Sequence, residues 1–326
     1  MHCRRRWTQR RLDDRLGRPR CRDRGLAAGG PGSRGPNDPR TRPRWNQAAR
    51  RPVGRIVSTL LLVHAHPDDE AVSTGGAMLK AAADGRRVVL VTATRGEAGE
   101  IYNMDEAATR PRLGEVRAKE LENASRILGV DRGEILGYRD SGMVRTADNE
   151  DPGSFHQAPL REAAAKLIAI LREEKPDVVV TYAQDGIYGH PDHIKAHQVT
   201  IAALDALLRS SEPWTPKKLY YTAIPRSMMQ AFMEQMPEEA RRDMNPDMRI
   251  EGTPDELVTT RIDVSDFVDR KRDAFAAHVS QNDPNSWFAT MADQVYRLAF
   301  GTEYYQLARG KPGSALPEND LFLGIS

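Results

Sequence analysis

Five of the eight histidines in this 326-residue chain fall in or beside two short segments. The first reads His64-Ala65-His66-Pro67-Asp68-Asp69-Glu70. The second reads Tyr188-Gly189-His190-Pro191-Asp192-His193, with His197 four residues further on. A catalytic zinc site takes three N/O ligands and leaves one position open. His66 and Asp69 are three residues apart and can bind an ion from one turn, and His193 can supply the third ligand. That leaves Asp68 and His190 beside the metal. A free carboxylate there is placed to act as general base. A second histidine can stabilise an oxyanion and protonate a leaving group, with Asp192 holding its tautomer. The bland alternative for either segment alone is a helix start, with Pro at the first helical position and Asp in the first turn. Two copies, each after an apolar strand, favour a functional site. His64 reads as a packed residue and His197 as a structural or supporting one, while His156 and His278 receive no role.

The elements that must position these residues alternate. Ile56–His64, Arg87–Thr94, Glu134–Gly137, Asp177–Tyr182 and Lys218–Ile224 read as buried strands. Thr74–Asp84, Arg110–Leu128, Leu160–Glu174 and Pro191–Leu208 read as helices, with long loops at 95–108 and 139–157. This pattern predicts an α/β, Rossmann-like open and mostly parallel sheet with helices on both faces. The last hundred residues, with helical stretches near Arg226–Met236 and Asp266–Val279 and a loop-rich end, read as a C-terminal cap. In such a sheet ligands bind beyond the carboxyl ends of the strands, where strand order reverses. If the strands ending at His64 and Tyr182 are neighbours, both histidine segments reach one crevice.

Charge divides the chain. Residues 1–52 hold sixteen Arg, no Lys and four acids, so the net +2 of the chain is +12 in this tail and −10 in the rest. The tail is dense in Arg, Gly and Pro without hydrophobic periodicity, and reads as a disordered or non-native extension. A nucleic-acid or membrane role for it is the weaker reading. Both cysteines, Cys3 and Cys21, lie in it. The remainder, residues 53–326, therefore has no thiolate ligand, cysteine nucleophile or disulfide, which suits a cytoplasmic protein. No apolar run approaches the length of a membrane helix. The expected organisation is an α/β core over about 53–225 and a cap over about 226–326.

The paired His-Pro-Asp-Asp-Glu and Gly-His-Pro-Asp-His motifs resemble the LmbE-like (PIG-L) family of zinc-dependent N-acetylglucosaminyl deacetylases. The resemblance spans about Ile56 to Ile325 and includes Thr94-Arg95-Gly96-Glu97-Ala98-Gly99-Glu100 and Tyr138-Arg139-Asp140-Ser141-Gly142-Met143. It implies His66, Asp69 and His193 as metal ligands, Asp68 as base, and His190 as oxyanion stabiliser and acid oriented by Asp192. It also implies that Tyr188 reaches the substrate carbonyl and that Arg117 and Asp140 contact the sugar. The mycothiol-pathway branch is nearest, with an N-acetylglucosaminyl-inositol deacetylase and a mycothiol S-conjugate amidase as the two candidate activities. The implied cofactor is Zn2+, although two His and one carboxylate also suit Fe2+. The implied partner is a small amino-sugar substrate, and association with a second copy is compatible. Competing readings are a metallophosphatase or nuclease, for which no third acidic cluster appears, and a non-catalytic sugar- or nucleotide-binding module, for which no Gly-x-Gly-x-x-Gly follows the first strand.

Overall fold

Runs such as Leu60-Leu61-Leu62-Val63, Val88-Val89-Leu90-Val91 and Val178-Val179-Val180 are apolar on both sides of the strand, so both faces must be covered. The computed structural model, which describes residues 44–45, 58–242, 247–248, 251–286 and 289–325, covers them both. Eight strands are described: β1 Arg44–Trp45, β2 Thr59–His64, β3 Arg87–Thr94, β4 Arg132–Tyr138, β5 Val178–Tyr182, β6 Lys218–Ala223, β7 Thr260–Asp263 and β8 Thr302–Arg309. They form one sheet in the order β1-β4-β3-β2-β5-β6-β8-β7. The five central strands, β4-β3-β2-β5-β6, are parallel, and the remaining pairings are antiparallel.

Eight helices matter here: α1 Asp69–Ser73, α2 Gly75–Ala83, α3 Leu113–Leu128, α4 Leu160–Glu174, α5 Pro191–Leu208, α6 Arg226–Gln235, α7 Val268–Ala276 and α8 Asp293–Phe300. Alternate strand residues feed two cores, as a period of two requires. Leu60, Leu62, Val88, Leu90, Val178 and Val180 meet Met78, Leu121, Leu128 and Ala274 on one face. Leu61, Val63, Val89, Val91 and Val179 meet Leu167, Leu171, Val199 and Leu204 on the other. Strand order reverses between β2 and β5, which are paired in parallel through Leu60–Leu62 and Val178–Val180. The crevice expected from the alternation lies beyond these two strands.

The C-terminal third does more than the sequence pattern suggests. Besides helices α6, α7 and α8 it supplies β7 and β8, which extend the sheet past β6. Both strands are half-exposed and rich in polar residues, TRID and TEYYQLAR, so they lack the apolar signature of the central strands. β4, expected over 134–137, runs over Arg132–Tyr138. The loops at 95–108 and 139–157 each hold a single helical turn, Glu106–Thr109 and Ala147–Glu150. Of the Arg-rich extension 1–52, only Arg44 and Trp45 are described, and they pair with Glu134 and Gly133. The rest of it, and Ile56 and Val57 of the expected first strand, lie outside the described residues.

Candidate active site

β2 ends at His64, and the chain turns through Ala65–Asp68 into α1. Asp68 makes that turn with φ +118°, a conformation an L residue rarely adopts, at a cost of order 1–3 kcal/mol. β5 ends at Tyr182, and a second non-glycine residue with positive φ, Ile187 at +70°, precedes Tyr188. α5 then starts at Pro191. His190 caps it, its Nδ1 accepting the Asp192 backbone N–H at 3.1 Å. The helix-start reading of this motif is therefore realised. All nine residues singled out in the sequence meet at this edge of the sheet.

Asp69 joins the two segments. Its Oδ2 lies 3.5 Å from His66 Nδ1, and its Oδ1 lies 3.4 Å from His193 Nε2. Ligand atoms of His66, His190 and His193 fall within 4.8 Å of one another, as do those of His66, Asp140 and Asp192. His66 Nε2 faces Asp192 Oδ2 at 3.2 Å and Asp140 Oδ1 at 3.4 Å. A metal-binding histidine commonly donates its second ring N–H to a carboxylate, which fixes its orientation. The Asp192 carboxylate stands where such a partner of His66 would stand. This differs from the expected orientation of His190 by the Asp192 carboxylate: the carboxylate is held by the Ser141 N–H at 2.9 Å and by the Ser141 hydroxyl, and only the Asp192 backbone reaches His190. Because Nδ1 of His190 accepts, a neutral ring carries its proton on Nε2.

Electrostatics separate the roles. Burial would raise the Asp69 carboxyl, but His193 and His66 hold it well below the usual carboxylate range. Burial would lower His66, but Asp140, Asp192 and Asp69 outweigh it and raise the ring well above its usual value. Burial and the neighbouring His66 and His193 push His190 down to about 2, so the ring is neutral. Asp68 differs from the other carboxylates. Burial pushes it up to about 6, with Arg117 opposing and Asp69 adding. Its side chain is 25% exposed, against 13% for Asp69, 5% for Asp140 and 0% for Asp192, so it is the carboxylate open to an incoming molecule.

Arg117 and Asp140 are turned inward. Arg117 is buried and donates to Gly96 O at 2.9 Å, to Pro67 O at 2.5 Å and to Asp68 Oδ2 at 3.0 Å. A Cβ at Gly96 would lie 2.2 Å from its guanidinium, which is why that loop position is glycine. These bonds tie Arg117 to Asp68 and its turn. Asp140 accepts the N–H groups of Ala98 at 3.2 Å and Gly142 at 2.9 Å, and its own N–H donates to Glu97 at 3.1 Å. Tyr188 stands edge-on to His193 and His190, with ring centroids 5.0 and 6.0 Å away.

A family model described as GlcNAc-PI de-N-acetylase, PIG-L, matches residues 61–204. A protein of Acidothermus cellulolyticus named 1D-myo-inositol 2-acetamido-2-deoxy-alpha-D-glucopyranoside deacetylase is 43% identical, over 83% of this chain and 96% of its own length. Its namesake from Salinispora arenicola is 44% identical, over 82% and 91%. The chain belongs to the PIG-L family. Among solved structures, an N,N'-diacetylchitobiose deacetylase from Pyrococcus horikoshii is similar with a TM-score of 0.52 at 20% identity, covering 77% of this chain and 84% of that one. A 4-carboxy-2-hydroxymuconate hydratase from Pseudomonas putida is similar with a TM-score of 0.51 at 18% identity, covering 80% and 100%. Both share the fold. One fold carrying a deacetylase and a hydratase means that chemistry must be argued from the site.

In this PIG-L member the donors suit a divalent metal ion. Both ring nitrogens of His193 are buried without a hydrogen-bond partner among the described residues. Such atoms are costly unless something binds them. The surrounding donors are imidazole nitrogen and carboxylate oxygen, a set suited to zinc or Fe(II). Sequence reasoning missed Tyr182, whose hydroxyl donates to Asp69 Oδ2 at 2.7 Å and whose ring stacks on His193 at 4.1 Å. It also missed Ser141 as the anchor of Asp192. The signal for Tyr182 was its place at the last residue of the strand that borders the crevice. His64 is fully buried between Tyr182 and Thr74, and His197 bonds the Tyr182 carbonyl, so both are supporting residues.

Proposed function

We propose that this chain hydrolyses the acetamide of an N-acetylglucosaminyl-inositol, giving acetate and the free amino sugar, with zinc held by His66, Asp69 and His193. The observation that carries the reading is His193, buried with neither ring nitrogen hydrogen-bonded among the described residues, its Nε2 facing Asp69 at 3.4 Å and the His66 ring beside it. The names of the relatives at 43–44% identity support the substrate class. An ion in this position supplies Lewis acidity and makes water more acidic.

The protein's own residues do the rest. Asp68, its Oδ2 engaged by Arg117, takes the proton from water attacking the acetamide carbon. His190, neutral and bearing its proton on Nε2, donates a hydrogen bond to the developing oxyanion. Tyr188 flanks the same side. As the C–N bond breaks, the proton held on Asp68 passes to the leaving nitrogen, so that one water is consumed and acetate and amine are released. Asp192 and Ser141 keep His66 oriented throughout. We place this activity in the cytoplasm; among the described residues no helix is long and apolar enough to cross a membrane.

A second reading, a mycothiol S-conjugate amidase, is favoured by a cavity of about 250 Å³ lined by Val72, Ile187, Met228, Met229, Phe232 and Phe300. Ile187 adjoins Tyr188, and the apolar lining suits a bulky thioether substituent. The test is a panel of N-acetylglucosamine, N-acetylglucosaminyl-inositol and a mycothiol S-conjugate, with acetate and amine release measured. Acetate from the inositol conjugate above the other two is expected. Release from the S-conjugate alone would favour the amidase, and release from none would remove both.

A further inference from the structure

The strained turn at Asp68 is gripped from a distant part of the chain. His278, 208 residues beyond Glu70, places its Nε2 2.6 Å from Glu70 Oε1, with both side chains fully buried. The other oxygen, Glu70 Oε2, accepts the backbone N–H of Asp68 at 2.9 Å. On the opposite side Arg117 bonds the Asp68 carboxylate and the Pro67 carbonyl. The segment that carries His278 is itself fastened. Ser280 donates its N–H and hydroxyl to the two oxygens of Glu120 at 2.7 and 2.6 Å, three residues after Arg117 in α3. Its carbonyl accepts the Tyr102 N–H at 2.8 Å, and Gln281 donates to Glu100 O at 3.0 Å.

We propose that Glu70 and His278 are positioning residues: together they hold the Asp68 backbone at φ +118° and so aim its carboxylate at the reacting water. The grip spans two buried bonds in series, and only a side chain of glutamate length meets both ends. Aspartate at position 70 keeps the charge but is one carbon too short to bond His278 and the Asp68 N–H together. Glutamine keeps the length, accepts the N–H with its carbonyl and donates its amide to a His278 ring nitrogen that is an acceptor in the other tautomer. Misplacing a catalytic group by about 1 Å costs up to about a hundredfold in rate. The loss should fall on kcat, because the substrate-binding surface is untouched.

The proposal rests on Asp68 being the base, so Asp68→Asn is measured alongside. In the metal-loaded full chain, Glu70→Asp should lower kcat about 10- to 100-fold with KM within about twofold, metal stoichiometry retained, and the Asp68 φ relaxed to a negative value in its crystal structure. Glu70→Gln should restore kcat to within about threefold of the parent. His278→Gln serves where Glu70→Asp does not fold: a fall in kcat at constant KM supports the grip, and an unchanged kcat overturns it. Wild-type kcat in Glu70→Asp, or a fall matched by lost metal, would also overturn it. Glu70→Gln as impaired as Glu70→Asp would do the same. An active Asp68→Asn would instead remove the base assignment beneath it.

Discussion

Asp68 and Asp69 are neighbours in sequence with opposite surroundings, and that difference suits the separate roles proposed for them. Asp69 lies between two imidazoles that favour its ionised form, as a metal ligand requires. Asp68 is the more open and the harder to ionise, as a base near neutral pH requires. Asp68→Asn should therefore lower kcat by about 10²- to 10⁴-fold while metal content, read by elemental analysis, stays unchanged. The sign of the pH dependence follows from the same residue. The active form is the carboxylate, so activity falls as pH drops through the Asp68 titration. A cation bound at Asp69 would draw that limb down from about 6. A rate profile with its acidic limb well above 6 would mean that another group is the base.

At the scale of elements, the helices are also fixed to the sheet at the edge opposite the crevice, where β3 and β4 begin. The end of α4 is held by Glu174, which accepts Arg87 through two bonds at 2.7 and 3.0 Å and also bonds Arg132 of β4. Burial would raise this carboxyl, yet Arg87 and Arg132 hold it below its ordinary value of 4.5. A lowered carboxyl stabilises the fold above its unfolded-state value and loses that contribution as pH falls through its folded one. Glu174→Gln should then cost about 1–2 kcal/mol at pH 7, discounted because Arg87 is partly exposed. The difference from the parent should shrink as pH drops below 4.5, measured by denaturant unfolding at several pH values. How much of this frame is legible in the sequence depends on burial. α4 and α5 begin and end where their apolar spacing and prolines say, and the central strands announce themselves because both faces are covered. β7 and β8 do not, because their burial comes from a few alternating positions and from pairing with β6. The motif residues were legible as a cluster. Their partners were not: the turns of Asp192 toward His66, of Arg117 toward Asp68 and of His278 toward Glu70 are contacts across 49 to 208 positions that no local spacing encodes.

On the scale of the whole molecule, the family-model match, residues 61–204, and the site geometry both fall within the part of the chain that carries the net negative charge. The Arg-rich tail supplies none of the nine site residues. Trp45, beyond most of that tail, lies against Gly133, where a Cβ would meet its ring at 2.1 Å. Removing residues 1–43 while keeping Trp45 should accordingly leave kcat and KM for the amino sugar within about twofold of the full chain. A larger loss would give the tail a part in the reaction.

The most direct measurement is acetate released from N-acetylglucosaminyl-inositol by the purified chain before chelation, after it, and after a divalent ion is restored. Release that stops on chelation and returns with Zn2+, and that neither returns nor occurs in a folded His193→Ala variant, is the predicted result. Release that persists without metal, or in His193→Ala, would contradict a metal-dependent deacetylase built on His66, Asp69 and His193.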